Sequence, residues 1–146
     1  MNKQTRNIIN VSLTLVAIYL YSFTANNIET EILGFNSFKF LISIAVLIQF
    51  LIFLPSFIFK TEKFYDLTGS LTYISVTSIA YFSLDNPTTT DTILFLYVVI
   101  WAGRLGIFLF RRINKVGKDV RFDKAKKKFF WFLQYWMGQA AWVVFT

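Results

Sequence analysis

The sequence predicts an all-α integral membrane protein, a bundle of about five transmembrane helices with a cytoplasmic N-terminus. Three observations predict it. Of the 146 residues, 55% are hydrophobic and only 16% charged, whereas about a quarter of a soluble domain is charged; mean hydropathy is +0.53. The apolar residues come in long blocks that do not alternate. A membrane span must be a helix or part of a closed barrel, and barrel strands alternate over about 10 residues, so the blocks read as helices. Finally, five spans would gather the basic connecting segments on one side.

The first block covers residues 8–25 and follows Lys3 and Arg6. A signal peptide has the same charged start, but its apolar core is usually about 7–15 residues. This block is longer, and Ser22, Thr24 and Ala25 make a weak cleavage site, so it reads as a retained helix. Residues 26–36 read as a polar loop holding Glu29 and Glu31. The second block, 38–59, carries Pro55 near its end, which implies a bent helix terminus. Residues 60–64 form a short charged turn.

The third block, 65–84, is rich in small and hydroxyl residues: Thr68, Gly69, Ser70, Thr72, Ser75, Thr77 and Ser78. Such residues let membrane helices approach closely, so this helix is expected at the centre of the bundle. Asn86-Pro87 favours a turn, with Thr89 or Thr90 capping the fourth helix. The fourth helix is expected over 92–110 and the fifth over 129–145. The whole chain, 1–146, reads as one membrane domain.

Orientation follows from the basic residues. Lys3 and Arg6, Lys60 and Lys63, and residues 111–128 would all lie on the cytoplasmic side. The last segment has nine basic and two acidic residues, net +7, which equals the net charge of the whole chain. The opposite connections carry Glu29, Glu31, Asp85 and Asp91.

The chain has no cysteine and no histidine. Disulfides, thiol catalysis, thiolate-bound metals and histidine general bases are excluded, and no metal site is expected. Acid–base chemistry would fall to Asp, Glu, Tyr or Lys.

Three uses of the basic segment compete. It can set topology and touch anionic headgroups, at about 1 kcal/mol per basic residue. It can bind a phosphorylated cofactor through arginine forks. Nucleic acid would need a stacking or groove-reading module, and none is present, so no nucleic-acid partner is expected. Gly117, Asp119 and Asp123 suggest a folded turn, whereas "KAKKK" reads as an interfacial anchor.

Arg104 lies two helical turns before Arg111, so the two share a face, with Arg104 roughly 10 Å inward. A charge at the centre of a membrane helix costs about 2.5–3.5 kcal/mol, less near the interface. Arg104 either snorkels to the headgroups or faces a polar cavity open to the cytoplasm. Asp66 begins the third helix on that side, as a dipole-favoured acid or as part of the cavity, and Tyr65 beside it offers a hydroxyl. In the cavity reading Asp66, Arg104, Arg111, Arg112 and Arg121 converge at one cytoplasmic mouth, joined by Gln134 and Tyr135.

The stretch "WAGRLGIFLFRR…GKDVRF" resembles the W-x-x-R-L…R…G-x-x-D-x-R-Y/F pattern of membrane proteins similar to steroid 5-alpha-reductase, grouped as domain of unknown function 1295. "FYDLTGSLTYI" is similar to the segment where an aspartate opens a central helix of that family, and "FFWFLQYWMGQAAWVV" to its next helix. The resemblance covers about residues 64–144. It implies a membrane enzyme that uses NADPH to reduce an activated carbon–carbon double bond in a steroid or other lipid. It implies that Arg104, Arg111, Arg112 and Arg121 lie on the cofactor side. Asp66 and Tyr65 would be the catalytic candidates, orienting substrate or supplying a proton.

Much of the cofactor site in such enzymes comes from a C-terminal half, so the chain is expected to be an N-terminal half. "GRLG" lacks the spacing and sheet context of a dinucleotide fingerprint. Two further readings are a non-catalytic membrane scaffold anchored by its basic segment and a lipid methyltransferase of related architecture. Membrane lipids and a lipid-like substrate are the expected partners.

Overall fold

The computed structural model describes residues 2–25 and 30–146. Among them the chain forms five α-helices and one small hairpin. Helix α1 spans Lys3–Tyr21. The Asn2 side chain accepts the Gln4 N–H at 3.3 Å, so the helix starts ahead of the apolar block. It also stops early, because the Ser22 and Thr24 hydroxyls donate to the Tyr19 and Tyr21 carbonyls at 2.6 and 2.7 Å. Residues 22–25 therefore close the helix instead of extending it.

The expected loop before the second helix is partly ordered as an antiparallel hairpin of β1 (Glu31–Ile32) and β2 (Phe35–Asn36). Its two-residue turn has positive φ at both Leu33 and Gly34, the geometry that matches strand twist. Glu29, also assigned to this loop, lies outside the described residues.

Helix α2 spans Ser37–Ile58, and Asn36 caps it by accepting the Lys39 N–H at 3.2 Å. Helix α3 spans Tyr65–Phe82 and has no capping side chain. Helix α4 spans Thr89–Val116. Neither Thr89 nor Thr90 caps it. Thr88 and Asp91 form a reciprocal capping box, with bonds of 2.8 and 3.2 Å, which satisfies two open amides at once. Gly117, at φ 87°, ends the helix, as glycine does where the chain must turn left-handed. Arg111, Arg112 and Lys115 are thus helical, and the basic loop begins only after Val116. It includes a 3₁₀ turn over Ala125–Lys127. Helix α5, Phe129–Phe145, also lacks a capping side chain.

Contacts fix the direction of each helix. At one end Lys3 Nζ sits 3.9 Å over the Trp131 ring, Phe57 packs on Phe129 at 5.2 Å, Tyr65 on Phe122 at 4.9 Å, and Arg112 pairs with Asp66. At the other end Tyr21 lies against Phe38 and Phe145, and the Tyr81 and Thr92 hydroxyls meet at 3.0 Å. The helices therefore alternate up and down. The N-termini of α1, α3 and α5 share the basic end.

Helix α3 packs against α2, α4 and α5, and α5 packs against α1, α2 and α3. The centre expected of α3 is shared with α5, while α4 rests chiefly on α3. Gly106 of α4 lies so close to Ser70 of α3 that a Cβ there would fall 2.7 Å from the serine Cβ. Phe53, Phe132 and Trp136 are fully buried between the helices, and Phe122 of the loop joins them. Deeper in the bundle, Gln49 Nε2 donates to Thr72 Oγ1 at 3.0 Å. Among the described residues two helices, α2 and α4, are long and apolar enough to cross a membrane, with mean hydropathy 2.5 and 2.2.

Candidate functional site

The basic end divides the expected site residues into two groups. The inner group lies where the first turn of α3 meets the last turns of α4 and the loop. Asp66 stands in the first turn of α3, a position favoured for an acid by the helix dipole. Its Oδ2 lies 3.4 Å from Arg112 Nη2, a long and partly exposed contact. Beside it, Arg121 Nε donates to both Asp119 carboxylate oxygens at 3.0 and 2.9 Å. The Asp119 carboxyl is held below the usual carboxylate range, chiefly by the Arg121 side chain, with burial opposing. Arg121 in turn is held above the usual arginine range, first by its bond to Asp119, with the charges of Asp119, Asp66 and Tyr65 adding.

Tyr65 is placed with this group but is not free. Its hydroxyl donates to the Tyr135 carbonyl at 3.1 Å, and its ring packs on Phe122 and Trp136. Tyr65, Gln134 and Tyr135 do come together, along a shallow groove of about 380 Å³. The aromatic contacts make the half-buried Tyr65 part of the hydrophobic floor of that groove.

The outer group is Arg104 and Arg111. Both are exposed on the far side of α4. They line an open groove of about 580 Å³ with Ile107, Phe108, Arg112 and Lys115. Among the described residues neither makes an ion pair with a carboxylate. The structure thus does not bring Arg104 to Asp66. The helical spacing that aligns Arg104 with Arg111 also turns both away from α3. Arg112, one position on, is the residue common to both groups.

Sequence reasoning missed the parts that hold the loop down. Glu62, in the turn before α3, is 5% exposed. Its Oε1 accepts the Asp119 N–H at 3.0 Å, and its Oε2 meets Lys126 Nζ at 2.7 Å. Lys126 is therefore an internal clamp, not a headgroup anchor; Lys127 and Lys128 remain exposed. Phe122 and Ala125, the loop's buried apolar residues, insert between α3 and α5. Their spacing inside a charged segment was the available signal. No group of histidine, cysteine or carboxylate residues able to hold a metal occurs among the described residues.

A charged surface of this kind can hold a phosphate. Guanidinium forks match phosphate oxygens in two-point bonds, and no acidic residue lines the Arg104–Arg111 groove. A family described as "Protein of unknown function (DUF1295)" matches residues 52–146. The match takes in the last turns of α2 and all of α3, α4, the loop and α5. No curated protein and no solved structure matches the chain.

Proposed function

The chain belongs to the DUF1295 family, and from that membership we propose a multi-pass membrane protein, basic end in the cytoplasm, that acts as an NADPH-dependent reductase. Its substrate would be a steroid or other lipid with an activated carbon–carbon double bond. The likeness of its motifs to the steroid 5-alpha-reductases supports the reaction class. Broad apolar exposure supports the membrane: Leu13, Leu20 and Ile100 are 61%, 61% and 67% exposed, more apolar surface than water tolerates in a monomer.

The observation that carries the reading is the cationic face of α4, where Arg104 and Arg111 pair with no carboxylate among the described residues. All six residues that form it stand on α4, so it is an open cationic face of one helix, reachable from the cytoplasmic side in the proposed orientation. NADPH, when bound, supplies a hydride with its electron pair to one alkene carbon. Arg104, Arg111 and Lys115 would hold the phosphates by charge-assisted bonds. Asp66 keeps Arg112 at the boundary between groove and bundle. The second alkene carbon needs one proton, and Asp66 and Tyr65 are this chain's candidates to orient the substrate and pass it on. Tyr65 can do so only after exchanging its bond to the Tyr135 carbonyl.

The test is NADPH titration of the full chain purified in detergent micelles, followed by cofactor fluorescence. Arg104→Ala and Arg111→Ala should each weaken binding about ten- to a hundredfold, the worth of a charge-assisted bond. Lys127→Ala, exposed and off the groove, should leave binding unchanged. Absence of NADPH binding by the unmodified chain would sink the reading.

One observation favours a second reading, a non-catalytic membrane scaffold. Both catalytic candidates are already engaged, Tyr65 with the Tyr135 carbonyl and Asp66 with Arg112. The scaffold predicts that the same titration is flat for the unmodified chain and all three variants.

A further inference from the structure

A second polar site lies at the basic end, away from both arginine groups. The first turns of α1 and α5 enclose a cleft of about 540 Å³. Lys3 and Lys128 stand on its walls, and none of its lining residues is acidic. Phe129, Phe130 and Trp131 form the other wall, with the Lys3 ammonium held over the Trp131 ring. The α5 terminus has no capping side chain, so the leading amides of that helix keep their partial positive charge.

The cleft also holds a polar side chain with no protein partner among the described residues, Asn7. Asn7 is 5% exposed and lines the cleft one helical turn from Lys3. Among the described residues its side chain makes no hydrogen bond to the protein. Its polar atoms are not sealed from the cleft, so the amide is free to bond a ligand there. An oxygen-bearing anion would accept from the Asn7 amide, from the two lysines and from the open α5 terminus.

We propose that this cleft holds the phosphate of an anionic phospholipid headgroup. The wall chemistry selects a lipid over a free phosphate. Below the cleft, α1 presents exposed Ile8, Ile9 and Leu13, an apolar track for the acyl chains. Trp131 lies beside the polar pocket at the level where aromatic residues meet headgroups. The site is separate from the cofactor groove, since it shares no residue with it. It stands whether or not the chain is a reductase.

The test uses the full chain in neutral detergent and native mass spectrometry, with phosphatidylglycerol, phosphatidylcholine and inorganic phosphate as probes. The unmodified chain should retain phosphatidylglycerol in preference to phosphatidylcholine. The paired variant Lys3→Gln/Lys128→Gln should weaken retention about tenfold or more. Asn7→Leu, which removes the donor at no change in charge, should also weaken it. Lys124→Gln/Lys127→Gln removes the same charge from exposed positions off the cleft and should leave retention as it was. Equal losses in the two paired variants would mean that only net charge matters and would overturn the site. Retention unchanged in both Asn7→Leu and Lys3→Gln/Lys128→Gln would overturn it as well. Displacement of the lipid by inorganic phosphate at matched concentration would overturn the lipid assignment.

Discussion

Asp119 and Glu62 show how single carboxylates give the basic loop its shape. Glu62 spends both oxygens on the loop, one on the Asp119 amide and one on the Lys126 ammonium. Lys126 could not be told from its neighbours in "KAKKK", because its partner sits 64 positions away and composition carries no such distance. Asp119 then fixes Arg121 by a two-point bond. Its carboxyl titrates below the usual range, with Arg121 the main cause. The sign follows from linkage: a carboxyl depressed in the folded state adds stability above its unfolded value, about 3.9. That stability is lost as pH falls through the lower folded value. The Arg121 clamp should therefore be intact at neutral pH and open in acid, below about pH 4. The Arg121 Nε–H resonance reports it directly. Its shift should be constant from neutral pH down to about pH 5 and change below about pH 4, and in Asp119→Asn the acid step should vanish. A step of equal size in Asp119→Asn would assign the effect to another group.

Among the elements, α3 and α4 form the seam that carries most of the candidate residues. Gly106 permits the close approach at Ser70. Gly106→Val should force the helices apart and lower stability by about 1–3 kcal/mol, the usual cost of overpacking. Gly103→Ala is the matched control, since a Cβ there meets nothing within 4 Å. A helix-interior alanine should be neutral or better by up to about 1 kcal/mol. Thermal melts in micelles decide it, and equal midpoints for the two variants would mean that the seam is not tightly packed. The run of small residues in α3 made such a seam legible in the sequence. The ends of α4 were harder to read. The box that starts it was present as Thr88 and Asp91, but three consecutive threonines disguised the frame. At the other end, the density of charge suggests a loop. Arginines and lysines do not stop a helix; Gly117 does. Arg111 and Arg112 therefore belong to the helix and not to the loop. The convergence of Arg104 with Asp66 failed for a related reason, because periodicity gives the shared face of two residues but not which way the face points. The hairpin at Leu33-Gly34 gave little signal, since its strands are two residues each.

For the whole molecule, the alternation of five helices sets every basic segment at one end, and the proposed orientation puts that end in the cytoplasm. The chain has no cysteine, so single cysteines report cleanly. Asp85→Cys and Lys118→Cys lie at opposite ends, both exposed. In intact cells an impermeant maleimide should label the first and spare the second; the reverse pattern would invert the orientation. The odd number of helices has an electrical consequence as well. Each helix carries about half a positive charge at its N-terminus and half a negative charge at its C-terminus. Antiparallel neighbours cancel in pairs, but three N-termini and two C-termini share the basic end, so one helix dipole remains along the long axis. Two of those three N-termini, of α3 and α5, have no capping side chain. Part of the pull on anions is thus written into the backbone, where replacing lysines and arginines cannot reach it. Neutralising every basic side chain at that end would leave this backbone half-charge in place, facing the carboxylates of Glu62, Asp66, Asp119 and Asp123.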